Sequence, residues 1–304
     1  MIVLNALFPI FSLLGLGFFL RKLGLTSESF LKSSDKLVYY IFFPIMLFYK
    51  IGSAPQGGAD QWLFVLSSLL VLVLMFLISA IVIKFWPIAD FQAGSFSQSC
   101  YRFNTYIGVA VVLNIFGEAG IAYFGVMIGL AIPLINAFAV STLIWFSGDE
   151  SSLKSRVRMI LQALVGNPLI IGCFSGIIYA RIAGTFPLFI GNSLQLISML
   201  ALPLALISIG GSLSFKGMKK HLSLSLLAAS LKLLVLPLIG YFVYHLFQVS
   251  GLPFKTGMIF LCLPASTSIY VLSSQLNSDT ELASAAIVIS TSLSFISLSV
   301  ALLL

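Results

Sequence analysis

Residues 254–275 read FKTGMIFLCLPASTSIYVLSSQ, and this stretch decides how the whole chain is interpreted. It is apolar enough to enter a membrane, yet Pro264 lies at its middle. A proline removes one backbone donor and clashes with the preceding helical turn, so a helix is expected to break there. Inside a bilayer the freed backbone groups need partners in the protein or a water-filled cavity. The stretch therefore predicts a membrane helix that is interrupted near its centre.

Small and hydroxylic residues follow the proline: Ala265, Ser266, Thr267 and Ser268. A second half-helix that begins near Ser266 would present unpaired backbone N–H groups at the middle of the membrane, and such an end attracts anions. Interrupted helices at this depth are where many secondary transporters bind substrate. The alternative interpretation is a structural kink that the neighbouring helices accommodate.

The composition is that of a polytopic membrane protein. Of the 304 residues, 60% are hydrophobic and 8% are charged, whereas soluble domains carry about 25% charged residues. The first apolar run has no basic region before it and no small-residue cleavage site after it, so we expect a spanning helix rather than a cleaved signal. The three cysteines show no metal-ligand spacing, and no cofactor is expected.

Ten apolar segments follow one another, each near the ~20 residues that a membrane-spanning helix needs. They cover residues 2–20, 35–52, 62–83, 93–116, 120–146, 160–180, 191–212, 222–247, 255–275 and 281–303. One set of loops holds eleven of the 16 basic residues, and the other set holds three. Because basic loops face the cytoplasm, the bias predicts that both termini are periplasmic in a multi-pass protein of a bacterial inner membrane.

Matched residues 159 positions apart indicate an internal repeat. The pairs are Pro9 with Pro168, Pro44 with Pro203, and Lys22 with Arg181. The same offset carries Pro264 back to Thr105 in the fourth segment. Because five is an odd number of spans, two such copies would insert with opposite orientation. The sequence therefore predicts an all-α membrane protein of two inverted five-helix repeats, 1–147 and 159–304, with a cytoplasmic linker at 148–158 and interruptions in helices 4 and 9.

The ionisable residues deep in the segments are both cationic, Arg102 and Lys232. All nine acidic residues lie at segment ends or in loops, so neither cation has a carboxylate at its depth. Since charge inside a bilayer is costly, such residues are expected to face a cavity or a partner. A small organic anion, most simply a carboxylate, is the predicted partner. The alternative for Arg102 is that it snorkels to the cytoplasmic interface.

The candidate substrate-binding residues lie around the two expected interruptions. They are Arg102, Asn104, Thr105, Asn136, Pro264, Ala265, Ser266 and Thr267. Asn136 is included because it follows Pro133 in the fifth segment and could reach the same cavity. The coupling stays open at this point. Lys232 could titrate or could permanently replace a cation, whereas sodium could bind to hydroxyls and carbonyls of the broken helices.

Several motifs, taken together, resemble the auxin efflux carrier family, which includes bacterial malate and malonate permeases. They are LFPIFSLLGLGFFLRKLG at 7–24, LVYYIFFPIMLF at 37–48, RFNTYIG at 102–108, GNPLIIGCFSG at 166–176, LALPLALISIGGSL at 200–213, KLLVLPL at 232–238 and LPASTSIYVLSSQLNSDTELASAAIVISTSL at 263–293. The motifs cover the whole chain in order.

The resemblance implies a ten-helix fold, shared more distantly with bile-acid/sodium symporters. Helices 1, 2, 6 and 7 would form a scaffold domain that often dimerises, and helices 3–5 and 8–10 a transport domain that moves past it like an elevator. By position, Asn104 and Thr105 match the helix-4 crossover, Pro264 matches the helix-9 crossover, and Lys232 matches a basic residue of helix 8. Ala110 stands where the family commonly has a proline, so the helix-4 break is expected to be less marked.

The predicted function is a secondary transporter for a small organic anion, with the bilayer as its environment and no nucleic acid as a partner. The alternative within the same fold is a sodium-coupled symporter of the bile-acid type, for which acidic sodium ligands in helices 4 and 9 are lacking. A membrane-embedded enzyme would need a catalytic dyad or a metal set within the spans. The sequence has no HExxH motif and no paired aspartates at that depth.

Overall fold

The computed structural model describes residues 2–53, 59–146, 166–183, 185–213 and 218–304, and these ranges form helices without a strand. The helices are α1 (Ile2–Lys22), α2 (Glu28–Leu37), α3 (Phe43–Ser53), α4 (Ala59–Phe85), α5 (Asp90–Tyr101), α6 (Thr105–Phe146), α7 (Pro168–Ile182), α8 (Leu188–Ser212), α9 (Met218–Ser230), α10 (Leu236–Leu246), α11 (Gly251–Leu261), α12 (Ser268–Gln275) and α13 (Thr280–Leu303). The linker predicted at 148–158 lies outside the described residues.

In the part of the chain that the structure describes, six helical stretches are long and apolar enough to cross a membrane. They are Val3–Lys22, Asp60–Phe85, Asp90–Phe146, Leu188–Ser212, Met218–Leu246 and Thr280–Leu303. The prediction of an α-helical membrane protein is therefore confirmed. The predicted count of ten is not reached by this criterion, because segments 2, 6 and 9 form shorter helices and segments 4 and 5 share one stretch.

The stretch Asp90–Phe146 is interrupted twice. Residues 102–104 between α5 and α6 are non-helical, and Gly117 inside α6 has a φ of 59° and a ψ of −146°. A side chain at that position would be strained, so glycine is the residue that allows the chain to turn there. The boundary predicted between segments 4 and 5 falls at this glycine. With 57 residues, the stretch has more than twice the ~20 residues that one span needs.

Two π-helical turns, Val38–Phe42 and Leu231–Val235, join α2 to α3 and α9 to α10. Each turn ends two residues before a proline, Pro44 or Pro237. Because proline supplies no N–H and its ring crowds the carbonyl four residues earlier, a widened turn relieves the clash. The second turn contains Lys232, so this side chain does not follow the regular α-helical periodicity.

Two helix pairs, α1 with α8 and α3 with α7, approach closely at glycines. A Cβ atom added at Gly17 would overlap the backbone of Ile207. In the other pair, a Cβ atom added at Gly176 would lie 3.0 Å from the carbonyl oxygen of Phe48. Small residues that allow close backbone contact are how helices associate in lipid, where the hydrophobic effect between helices is absent.

The interrupted segments lie in the interior. α5 packs against α4, α6, α9, α12 and α13, and α11 packs against α6. Residues 93–101 of α5 are all buried, although they include three serines and a glutamine. A buried helix with this many polar groups has to satisfy them within the protein, since lipid offers no partners.

The contact at Gly17 gives a direct test of the packing. We expect Gly17→Ala to lower the melting temperature of the detergent-solubilised protein by several degrees, because overpacking typically costs about 1–3 kcal/mol and a clash with backbone cannot be relieved by a rotamer change. Gly15→Ala on the same helix is the matched control, since nothing lies within 4 Å of its added Cβ atom. Equal melting temperatures for the two variants would contradict the contact between α1 and α8.

Candidate functional site

The two interrupted segments meet at a point that we call the crossing, formed by residues 102–104 and 262–267. The backbone N–H of Asn104 donates to the carbonyl oxygen of Pro264 at 2.9 Å. The break in segment 9 is six residues long and the break in segment 4 is three, so the break without a proline is the shorter one. The crossing therefore brings together the two stretches that the 159-residue offset relates.

A second half-helix starts on each side of the crossing. α6 is capped by Asn104, whose Oδ1 accepts from the N–H of Ile107 at 3.1 Å. α12 begins at Ser268, two residues later than predicted, and the N–H of Ser268 donates to Oγ of Ser266 at 3.3 Å. Both helices thus direct their N-terminal ends, which carry the positive end of the helix dipole, towards the crossing.

Two serines of α13 hold the break in segment 9. The N–H of Ala265 donates to Oγ of Ser290 at 3.1 Å, and the hydroxyl of Ser297 donates to the carbonyl oxygen of Cys262 at 2.9 Å. These bonds satisfy backbone groups that the interruption frees. Sequence analysis missed both serines. The signal for them is the spacing of seven residues, which places both on one face of α13.

Arg102 lies at the crossing with only 7% of its surface exposed. Nη1 donates to Oε1 of Gln98 at 3.3 Å, and Nη2 donates to Oγ of Ser268 at 3.2 Å. Nε makes no hydrogen bond. No carboxylate of a described residue pairs with the guanidinium. The side chain is therefore directed into the crossing, with a donor left over and without a counter-charge.

Lys232 is completely buried, and its Nζ makes no hydrogen bond. The groups that interact with it electrostatically are the thiols of Cys262 and Cys100. Cys100 belongs to the last turn of α5, and Cys262 is the first residue of the break in segment 9. The ammonium thus lies between the two interrupted segments. Burying a charge without an acceptor is costly, so packing alone does not explain this residue.

The structure places the predicted site residues as follows. Arg102, Asn104, Pro264 and Ala265 are buried, and Thr105, Ser266 and Thr267 are partly exposed beside them. These seven residues line or flank the crossing. Asn136 is partly exposed on α6 and makes no hydrogen bond to another described residue, so no contact joins it to the others. Tyr39, which interacts electrostatically with Arg102, is a neighbour of the crossing that sequence analysis missed.

Three buried nitrogen atoms at the crossing lack a partner: Nε of Arg102, Nδ2 of Asn104 and Nζ of Lys232. All three are donors. The orientation of the Asn104 amide is fixed, since its oxygen caps α6. Three unpaired donors in a buried place, two of them on cationic side chains, are suited to a ligand that only accepts hydrogen bonds. Carboxylates are ligands of this kind.

Two surface cavities lie away from the crossing. One of about 570 Å³ is lined by residues that include His245 and Lys255, and one of about 280 Å³ by residues that include Ser97 and Trp145. No residue of the crossing lines either of them. The side of the crossing that is partly exposed is formed by Ser266 and Thr267.

Comparison with known proteins extends over the whole chain. Residues 2–302 match a family model described as membrane transport protein. An uncharacterized transporter of Methanocaldococcus jannaschii is 26% identical, over 97% of this chain and 96% of its own length. An uncharacterized transporter of Methanothermobacter thermautotrophicus is 23% identical, over 93% of this chain and 92% of its own length. Both interrupted segments lie within the residues that the family model matches.

Proposed function

Because the chain belongs to the membrane transport protein family, we propose that it is a secondary transporter that carries a small organic anion, a carboxylate, across the inner membrane of a bacterium. Family membership confirms the resemblance to auxin efflux carriers and the prediction that the protein is a transporter and not an enzyme. The substrate class, the number of spans and the mode of movement are the parts that we propose.

The observation that carries the substrate class is the set of unpaired donors at the crossing. Arg102, Asn104 and Lys232 each have a buried nitrogen atom without an acceptor, and two of the three side chains are cationic. A carboxylate would supply several acceptor sites and a negative charge at once. The N-terminal ends of α6 and α12 add to the positive potential at the same place.

Two close helix contacts, each made at a glycine, support an inverted repeat. Gly17 in the first half meets Ile207 in the second, and Gly176 in the second half meets Phe48 in the first. The 159-residue offset carries Gly17 onto Gly176 and Phe48 onto Ile207, so each contact is the copy of the other. A two-fold axis that relates two copies produces such reciprocal pairs. The bond between Asn104 and Pro264 would lie near that axis.

Two contacts near segment ends support the order of ten spans, while the loop charges support periplasmic termini. Lys50 and Glu118 form an ion pair at 2.9 Å, and the ten-span order places both on the periplasmic side. His221 lies 3.7 Å from Asp279, and the same order places both on the cytoplasmic side. An arrangement with an odd number of spans between the members of either pair would separate them by the thickness of the membrane.

We propose that the molecule works as an elevator. The scaffold would consist of α1, α2, α3, α7 and α8, and would form a homodimer as the family resemblance implies. The crossing would belong to the moving domain, which consists of α4–α6 and α9–α13. Tyr106, beside the crossing, packs edge-on against Phe43 of the scaffold with ring centroids 4.5 Å apart. If the moving domain slides past the scaffold, the side from which a site at their boundary is accessible would change.

Charge movement in proteoliposomes on a solid-supported membrane tests the proposal. The panel consists of mono- and dicarboxylates, each with and without sodium and with a pH step. We expect sodium-independent currents for one carboxylate class. Currents that require sodium would favour the bile-acid-type symporter, and a protein that reconstitutes well but responds to no carboxylate would overturn the proposed substrate class.

The variant Asn104→Asp tests whether these currents depend on the crossing. The aspartate keeps the oxygen that caps α6 and puts a negative charge where the substrate is expected, so the current at subsaturating substrate should fall at least about tenfold. Asn167→Asp is the matched control, because Asn167 caps α7 in the same way, with the N–H of Leu169 at 3.0 Å. Equal currents in the two variants would remove the crossing from the substrate site.

A further inference from the structure

α5 carries a polar stripe that contact with a substrate does not explain. Its residues are Gln92, Ser95 and Gln98, and Arg102 follows directly after the last helical residue. The spacing of three residues places the first three on one face of the helix. Ser95 and Gln98 are fully buried. A polar stripe inside a membrane protein is expensive unless its members have partners, so the partners of this face indicate its role.

The partners form a continuous path. The hydroxyls of Ser278 and Ser95 are 3.0 Å apart, and Ser95 donates to Oγ of Ser273 at 2.8 Å. Nε2 of Gln98 donates to the same Oγ at 3.5 Å. Oε1 of Gln98 then accepts from Nη1 of Arg102 at 3.3 Å. A buried hydrogen-bonded path therefore leads from Ser278 to the crossing.

A cluster of ionisable groups adjoins Ser278. The two are joined at the carbonyl oxygen of Phe91, which accepts from the N–H of Asp279 at 3.0 Å and from the hydroxyl of Ser278 at 2.9 Å. Oδ2 of Asp279 accepts from Nε2 of Gln92 at 3.2 Å and lies 3.7 Å from Nδ1 of His221. Nε2 of His221 lies 3.4 Å from Oε2 of Glu281, yet it is buried and makes no hydrogen bond. Lys220 is 3.9 Å from the same carboxylate. His221 is only 2% exposed.

We propose that His221 and Asp279 form a proton-binding site whose charge state is transmitted along this path to the crossing. His221 belongs to α9, which packs against α5 and α13. Apart from Cys100 and Tyr101 at the far end of α5, the other titratable groups of these three helices and of the residue that caps α13 are Asp90, Lys219, Lys220, Asp279 and Glu281. Lys216 lies outside the described residues.

A carboxylate lies on each side of the imidazole ring of His221. With His221 neutral, the charges of Lys220, Asp279 and Glu281 sum to −1, and a proton on the ring brings the sum to zero. Both ring nitrogens of an imidazolium are donors, and a carboxylate oxygen faces each of them. Protonation would draw Oδ2 of Asp279 towards the ring, and this pull competes with the bond to Gln92 on the polar stripe.

The proposal deepens the proposed function, on which it rests for its transport measurement, by naming the proton as the coupled ion. One of the two measurements does not depend on transport activity. The chain has two histidines, so ¹⁵N-histidine NMR of the full chain in nanodiscs gives two imidazole signals that His245→Gln assigns. The His221 signal reports directly whether the ring gains a proton as the pH is lowered. We expect Gln98→Leu, which cuts the path without changing charge, to move the midpoint of that change measurably. Ser67→Ala, at a buried serine of α4, should leave it in place.

The transport arm compares carboxylate currents at about pH 5.5 and pH 7.5. His221→Gln should reduce the ratio of the two currents to near one, and His245→Gln should keep the ratio of the unmodified protein. A His221 signal that does not titrate, or that titrates identically in Gln98→Leu, overturns the proposal. So does a pH-dependent current that persists in His221→Gln. If no carboxylate produces a current, the proposed function fails while the NMR titration still decides whether the proton site exists.

Discussion

Arg102→Gln is expected to reduce the current at subsaturating carboxylate by about one to two orders of magnitude. A hydrogen bond to a charged group contributes about 1.5–3 kcal/mol, and its loss lowers the affinity roughly 10- to 150-fold. The guanidinium is buried at the crossing, and Nε remains free for a ligand. Glutamine keeps a polar group on a similar stem and removes a buried charge that has no carboxylate partner among the described residues, so we expect the variant to remain folded and extractable.

Two companion variants separate charge from geometry. Arg102→Lys keeps the charge but loses the planar fork, so its current should lie between those of the unmodified protein and the glutamine variant. Arg181→Gln removes an exposed arginine at the end of α7 and should leave the current unchanged. If Arg102→Gln retains the full response at every substrate concentration, the guanidinium does not contact the substrate.

The position of the crossing could be predicted from local sequence. Pro264 indicates a break because of its own chemistry, and the repeat carries that break onto Thr105. The two stretches do meet, through Asn104 and Pro264. The depth of Arg102 also follows from its distance from the segment ends. These features depend on single residues or on their spacing along the chain, so the sequence is enough to predict them.

The partners that satisfy the site could not be predicted in the same way. Ser290 and Ser297 contact the crossing from a helix more than 20 residues away. The polar stripe of α5 was counted as part of an apolar segment, because a hydropathy window averages a buried polar face with its apolar surroundings. Lys232 lies in a π-helical turn, whose departure from regular periodicity hides the direction of its side chain. The surroundings of the two serines, of the polar stripe and of Lys232 are all determined by tertiary contacts.

The first residue of the half-helix α12 shows how accurately a helix boundary can be predicted from the sequence. The sequence predicts its start near Ser266, directly after the proline, and the structure places it at Ser268. The hydroxyl oxygens of Ser266 and Ser268 are 2.7 Å apart. The hydroxyl of Ser266 also accepts from the backbone N–H of Ser268. Serine side chains that bond to nearby backbone compete with helix formation, so they delay the first turn.

Lys232→Met is expected to raise the melting temperature while it abolishes or strongly reduces the carboxylate current. The ammonium is completely buried and has no hydrogen-bond acceptor among the described residues. Replacing even a paired buried charge by apolar side chains of similar volume is often stabilising by about 1–4 kcal/mol, and an unpaired charge is costlier to bury. Methionine is flexible enough to fill the same space. A residue that destabilises the fold is retained only where it serves the function, so stability and activity should change in opposite directions.

Scanning fluorimetry in detergent and currents in proteoliposomes measure the two effects on the same preparation. Lys255→Met is the matched control, because Lys255 is exposed on α11 and its replacement should leave the melting temperature and the current nearly unchanged. A melting temperature that falls by several degrees in Lys232→Met would show that the ammonium has a stabilising partner in the resting protein. A current that appears in Lys232→Met only when sodium is added would show instead that the lysine takes the place of a coupling cation between the two interrupted segments.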